Sequence, residues 1–212
     1  MDGVLYDSMP RHAHAWRKTM LTMGVDIPEE EFFLYEGMTG PATINLILQR
    51  ERGETLSEEE CLNLYKKKAD LFRLLGEVSV MPGARSVIEF LQCRDIQRVL
   101  VTGSAQSTLL ERLEKDYPGG FPVEKRVTAL DVRRGKPHPE PYLRGLEKAG
   151  VKADEAFVIE NAPLGVRAAK GAGIFTIAVM TGPIPREEFE AEHADLILPS
   201  MTALAALLHQ GS

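Results

Sequence analysis

The feature that most limits the fold of this chain is a change of rhythm at Met81-Pro82-Gly83. Beyond it, short apolar runs alternate with helix-like stretches to the end of the sequence. Arg98-Val99-Leu100-Val101-Thr102 is one such run and Arg126-Val127-Thr128 a weaker one. Phe157-Val158-Ile159, Phe175-Thr176-Ile177-Ala178-Val179 and Leu196-Ile197-Leu198 complete the series. The stronger runs are continuously apolar rather than alternating, which marks strands buried on both faces and hence a parallel sheet covered by helices. Helices fill the intervals, among them one ending near Arg94, one beginning near Ala105, and one from Pro139 to Ala149 with Gly150 as its stop. The expected fold class is α/β, a doubly wound, Rossmann-like parallel sheet.

Ahead of the change the pattern is helical, with no strand signal before residue 78. Ala13, Trp16, Met20 and Met23 recur at three- and four-residue steps before Gly24, and Pro41 opens a second helix in its first turn. Ser57 and Glu60 form a capping box for a third, whose Leu62, Tyr65, Ala69 and Phe72 are expected on its buried face. Lys66, Lys67 and Lys68 read as a solvated basic run. The expected organisation is therefore an α/β core of residues 1–8 and 79–212, with residues 9–78 as a helical insert.

The 212 residues suit one large domain, or one domain with a smaller insert. A net charge of −6 argues against a general nucleic-acid binder and means that an anionic ligand must be held by locally placed cations. Cys61 and Cys93 have no metal-ligand spacing and are too few for a disulfide framework, so a reducing, cytoplasmic setting is expected. Charged residues interrupt every apolar stretch well short of a membrane span, and the N-terminus lacks the pattern of a signal peptide. Oligomeric state stays open, and the sequence is compatible with a monomer.

In parallel sheets, ligands bind beyond the carboxyl ends of the strands, so the polar residues following each run are the candidates. Thr102-Gly103-Ser104 follows the first run, Gly135-Lys136-Pro137-His138-Pro139 comes after the second run and its loop, and Glu160-Asn161 follows the third. Near the start, Asp2-Gly3 precedes Val4-Leu5-Tyr6-Asp7-Ser8. Each has a plainer reading: a helix cap at Thr102–Ser104, a surface lysine at 136, a cap at Glu160, a turn at Asp2-Gly3. Together and in this order they supply a carboxylate, a hydroxyl and a lysine at one edge, which fits phosphoryl transfer, a chemistry of positioning and charge neutralisation.

These residues resemble the motifs of the haloacid dehalogenase superfamily. Its first motif reads Asp-x-Asp-Gly-x-x-x-Asp-Ser/Thr, so that Asp2 matches the second Asp and Met1 the intervening residue. Thr102 matches the second motif, Lys136 the third and Glu160-Asn161 the fourth, and residues 9–78 are placed and sized like a helical cap. Gly135-Lys136-Pro137-His138-Pro139-Glu140-Pro141-Tyr142 and Gly165-Val166-Arg167-Ala168-Ala169 look like the branch containing β-phosphoglucomutase and related sugar-phosphate phosphatases. His12-x-x-x-Trp16 is similar to the start of that branch's cap, where a histidine helps hold the acid–base Asp away from the site until substrate arrives.

The resemblance implies attack on phosphorus by an Asp carboxylate to form an aspartyl phosphate, with Asp2 as general acid and base. It implies catalytic roles for Asp2, Thr102 and Lys136, and substrate contacts from Gly103, Ser104 and His12. It implies Mg²⁺ as cofactor, held by the backbone carbonyl of Asp2 and a side chain from Glu160 or Asn161. The partner would be a small phosphorylated metabolite, a sugar phosphate foremost, with neither nucleic acid nor membrane involved.

Three departures qualify this. The residue matching the nucleophile would lie just before Met1, on a central strand. Loss of such a strand would orphan neighbouring backbone groups at ~1–3 kcal/mol each where buried, so a start inside a longer reading frame is expected. Asn161 stands where a second acid is usual, and its uncharged amide oxygen is expected to weaken metal binding unless Glu160 compensates. Gly40 stands where the mutase carries an arginine for a second phosphate, which favours hydrolysis over mutase action. The readings left open are a phosphatase, a β-phosphoglucomutase-type mutase, and a phosphometabolite-binding protein without turnover.

Overall fold

The computed structural model describes residues 1–104 and 107–210. Strand β1 (Tyr6–Asp7) pairs antiparallel with β2 (Ser79–Val80), with Tyr6 opposite Val80. This two-residue ladder, unseen in the sequence pattern, puts the exit and return of the helical segment side by side. Between them lie α1 (Met9–Leu21), a 3-10 turn (Glu29–Phe33), α2 (Gly40–Arg52) and α3 (Glu58–Leu74). The capping box holds: the Ser57 hydroxyl accepts from the Glu60 amide while the Glu60 carboxylate accepts from the Ser57 amide. The buried face of α3 is Cys61, Leu64, Lys68 and Phe72, one residue out of phase with the expected face for all but Phe72, and Leu62 is exposed.

After β2 come α4 (Ala84–Cys93), β3 (Leu100–Val101), α5 (Ser107–Asp116), β4 (Arg126–Val127) and α6 (Glu140–Ala149). Then follow β5 (Phe157–Glu160), α7 (Pro163–Gly171), β6 (Phe175–Val179), α8 (Arg186–Ala191), β7 (Leu196–Leu198) and α9 (Met201–Gln210). Residues 105 and 106, where the helix after Ser104 is expected to begin, lie outside the described residues. Every ladder after β2 is parallel: β3 with β4, and β5–β6–β7 in sequence order. Strand residues alternate between two apolar layers. Leu100, Ile159, Ile177 and Val179 join Val87, Leu113, Met201 and Leu204 from α4, α5 and α9. Val101 and Val158 pack with Tyr142, Ala168 and Ala169 from α6 and α7. This two-sided burial is why the runs read as continuously apolar.

The helical segment is fastened by a third cluster in which Met20, Phe32, Ile44, Ile47 and Leu48 meet Val166, Ala178, Ile184 and Phe189. Among the described residues no ladder joins β3 to β5. Between those strands lies a cavity of about 430 Å³ lined largely by apolar groups, including Leu5, Leu91, Val99, Leu100, Val158 and Ile159. Met1 borders both this cavity and a second one at the carboxyl ends of the strands.

Candidate active site

The second cavity, about 70 Å³, is where the sequence candidates meet. Asp2, His12, Thr102, Gly103, Ser104, Lys136, Glu160 and Asn161 all line it. The strand ends supply its floor. The Thr102 amide donates to Val127 O at 2.9 Å, closing the β3–β4 ladder, and the Thr102 hydroxyl accepts from the Ser104 amide at 3.1 Å. At the end of β5, the Glu160 carboxylate is hydrogen-bonded by both Lys136 Nζ and the Tyr142 hydroxyl. Lys136 and Glu160 are both buried, so this is an ion pair in a low-dielectric setting rather than a screened surface contact. Burial alone would raise the Glu160 pKa, but the Lys136 charge and the hydrogen bonds outweigh it and hold the carboxyl below the usual range.

Asp2 sits on a tight turn in which the Leu5 amide donates to Met1 O at 2.8 Å. Gly3, at φ +65°, lies directly against the Asn161 side chain. The Asp2 carboxylate accepts from Ser8 Oγ at 2.7 Å and faces His12 Nε2 at 2.9 Å. Burial opposes its ionisation, yet the hydrogen bonds from His12 and Ser8 prevail and depress its pKa. His12 Nδ1 in turn lies 2.6 Å from Lys68 Nζ. An ammonium can only donate and an ionised carboxylate can only accept, so these partners assign the imidazole as neutral, with its proton on Nε2. Burial and the Lys68 charge, which lower the His12 pKa, agree with that assignment.

Lys68 corrects the sequence reading. Lys66 and Lys67 are exposed, but Lys68 is only 3% exposed and borders the cavity. The helical period of α3 turns it inward with Leu64 and Phe72. Its Nζ lies 5.1 Å from the Trp16 ring centre, 5.7 Å from that of Tyr65 and 5.5 Å from that of Phe72. Among the described residues no carboxylate forms an ion pair with it, and burial lowers its pKa to about 7 against the pull of Asp2.

Glu36 is the cavity residue that sequence reasoning missed. It follows the Glu29–Phe33 turn, and its carboxylate accepts from Asn161 Nδ2 at 2.7 Å. Burial, then the like charges of Asp2 and Glu160, push its pKa well up, with the Asn161 bond only partly opposing them. An acid before glycine reads as a turn, so no motif marks it. The next residue, Gly37 (φ +91°), packs on the Lys136 side chain, where an added Cβ would fall 2.7 Å from Cδ. A Cβ on Gly103 would be 2.4 Å from Gly37 O, and one on Gly135 2.8 Å from Thr39 Cγ2. Loop 36–39 therefore lies close on the core loops, with a glycine on at least one side of each of these contacts.

The polar set suits a hard divalent cation only loosely. Among the described residues no three acidic, histidine or cysteine side chains converge on one metal position. The mutual repulsion recorded by Glu36 is nonetheless what a bound cation would relieve, and the Asn161 amide adds a neutral oxygen. The arrangement can grip an anion through Lys136, Thr102 and the amides after β3, with an acid–base pair, Asp2 and His12, beside it.

Residues 1–173 match the model of the haloacid dehalogenase-like hydrolases. A phosphorylated carbohydrates phosphatase of Thermotoga maritima is 32% identical over 178 residues, covering 82% of this chain and 79% of that protein. Hexitol phosphatase A of Escherichia coli is 28% identical over 95% of this chain and 88% of its own length. Among solved structures, a candidate β-phosphoglucomutase from Bacteroides vulgatus superposes with a TM-score of 0.94 at 45% identity, covering all of this chain and 86% of that one. Among the described residues no helix is long and apolar enough to cross a membrane. Sheet, site and relatives agree: the chain belongs to the haloacid dehalogenase-like hydrolases, in the phosphoglucomutase-like branch, and is an enzyme of that type.

Proposed function

We propose that this chain carries the site of a Mg²⁺-dependent phosphatase that hydrolyses a small phosphorylated carbohydrate through an aspartyl phosphate. The observation that carries the reading is the meeting of Asp2, Thr102, Lys136 and Glu160 at one cavity. The nucleophile is assigned to an Asp immediately ahead of Met1. The cavity between β3 and β5 supports this, because a parallel strand there would pair both open edges and end beside Lys136.

In the first step a carboxylate oxygen of that Asp bonds to phosphorus as the ester P–O bond breaks, and the leaving oxygen takes a proton from Asp2. In the second, water gives its proton to Asp2 and attacks phosphorus, releasing phosphate and the carboxylate. Lys136, Thr102, the Gly103 amide and Ser104 neutralise and orient the phosphoryl oxygens. Bound to Ser8 and His12, Asp2 is a carboxylate, and it must leave that pair to carry a proton. His12 thus holds the acid–base group in reserve and borders the leaving-group side. The Asp2 carbonyl, Glu160 and Asn161, with Glu36 beside them, would hold Mg²⁺. That ion supplies positive charge between two anions that would otherwise repel.

Hydrolysis is favoured over mutase action by Gly40. A Cβ there would lie 2.3 Å from the Tyr65 ring, so an arginine for a second phosphate has no room unless that ring moves. The test is a chain extended upstream by an apolar segment ending in Asp, compared with the same chain ending in Asn, assayed for phosphate release from sugar phosphates with and without Mg²⁺. Turnover by the Asp form alone, dependent on Mg²⁺, is expected. Equal turnover by both forms, or a requirement for glucose 1,6-bisphosphate, would overturn the reading.

A further inference from the structure

Loop 36–39 closes the cavity from the helical side, yet little apolar burial fixes it, since only Phe32 and Phe33 of the preceding turn are buried. Its root is Tyr35, whose carbonyl accepts from the Met38 amide at 3.2 Å. One end of Tyr35 faces inward: the ring borders the cavity and meets Phe32 edge-on at 6.2 Å, and Phe32 stacks parallel to Trp16 at 6.3 Å. The other end is held from outside. The Tyr35 hydroxyl donates to Glu31 and accepts from Arg50 Nη1 at 2.6 Å. The same Arg50 nitrogen lies 2.5 Å from Glu31 Oε1, and Arg50 Nε lies 2.7 Å from Glu51.

We propose that Arg50, which does not border the cavity, is a positioning residue that sets substrate affinity by clamping Tyr35 and so seating the Glu36–Thr39 loop over Lys136 and Asn161. The clamp is charge-assisted on both sides of the hydroxyl, and a guanidinium alone among cationic side chains can reach Glu31, Tyr35 and Glu51 from fixed directions. Burial and Glu31 raise the Tyr35 pKa to about 12, so the hydroxyl remains a donor at any working pH. With the clamp broken, Tyr35 is free to swing. Glu36 and Gly37 are the two residues that follow it, so the bond to Asn161 and the cover on Lys136 loosen with it. The chemical groups on the core side are untouched, so the loss falls on binding rather than on turnover.

The inference rests on the phosphatase reading for its kinetic arm but not for its binding arm. Trp16, the single tryptophan, borders the cavity, so its fluorescence reports binding of inorganic phosphate to the chain without any catalysis. Wild type, Arg50→Ala, Arg50→Lys, Tyr35→Phe and the Arg50→Ala/Tyr35→Phe double variant are titrated with phosphate, and their extended forms are assayed. Each alanine or phenylalanine variant is expected to weaken phosphate binding and raise KM about five- to tenfold, with kcat changed less than threefold. The double variant should be no worse than the worse single one, since both cut one linkage, and Arg50→Lys should recover only part of the loss. Tyr35→Phe removes one oxygen atom, which keeps the test valid if Arg50→Ala fails to fold. Affinities within twofold of wild type, losses that multiply in the double variant, or a fall in kcat with KM unchanged would each overturn the proposal. Failure of the phosphatase reading looks different: phosphate binding would respond to the variants while the extended chain released no phosphate.

Discussion

The floor and the roof of the cavity handle buried charge in opposite ways. On the floor, Lys136 and Glu160 neutralise one another and Tyr142 completes the carboxylate's hydrogen bonds. On the roof, Lys68 has aromatic rings and an imidazole around it but no carboxylate, while Glu36 has an amide donor and two like charges nearby. A satisfied buried pair is stable as it stands, whereas an uncompensated buried charge is held against a desolvation penalty by the rest of the fold. The contrast teaches that the floor is preorganised in the free protein and the roof is left to be completed by what binds.

The comparison breaks most readily at Lys136. Lys136→Ala should lower turnover of the extended chain by ~10³-fold or more, since in the proposed mechanism it removes the main phosphoryl cation. It should also cost about 3 kcal/mol of stability by orphaning Glu160, and adding Glu160→Gln should return most of that. Urea unfolding measures both, and a Lys136→Ala chain as stable as wild type would show the floor to be no better paired than the roof.

Lys68→Met should act with the opposite sign, raising stability at pH 6 by ~2–3 kcal/mol because it removes a buried cation that lacks a counter-charge. The folded pKa of about 7 lies below the ordinary 10.5, so between those values the unfolded chain binds more protons and wild-type stability climbs with pH. The advantage of the variant should therefore shrink from pH 7 upward and be gone near 10.5. A pH-independent difference would mean that Lys68 titrates alike in both states. The smallest effect is expected from Gly103→Ala, where the new methyl meets Gly37 O and should cost ~1–2 kcal/mol by lifting the roof loop. Denaturant midpoints of that variant within error of wild type would show that floor and roof are not in contact in solution.

The same contrast explains what could be read from the sequence. Strands β6 and β7 have the bounds expected from their apolar runs, and β5 extends one residue further, to Glu160. The floor residues follow strand ends, so a rule about where parallel sheets bind ligands finds them. The roof has no such rule. Lys68 looks like its exposed neighbours Lys66 and Lys67, and only the meeting of Trp16, Tyr65 and Phe72 in space reveals its burial. Glu36 reaches the cavity by tertiary placement alone, and the β1–β2 ladder is two residues long, too short for any periodicity to register. Run 98–102 shortens to Leu100–Val101 because only those two residues find ladder partners in β4.

Glycines 37, 103 and 135 leave a seam without teeth. Where roof meets floor, Gly103 lies against the Gly37 carbonyl, Gly37 against the stem of Lys136 and Gly135 against the Thr39 methyl, so one side of each contact presents only backbone. Parting the two halves therefore asks for no rotamer to turn and no packed knob to withdraw. The Glu36–Asn161 bond becomes the clasp on that seam, so the speed of substrate entry should track a single hydrogen bond rather than the melting of a hydrophobic interface.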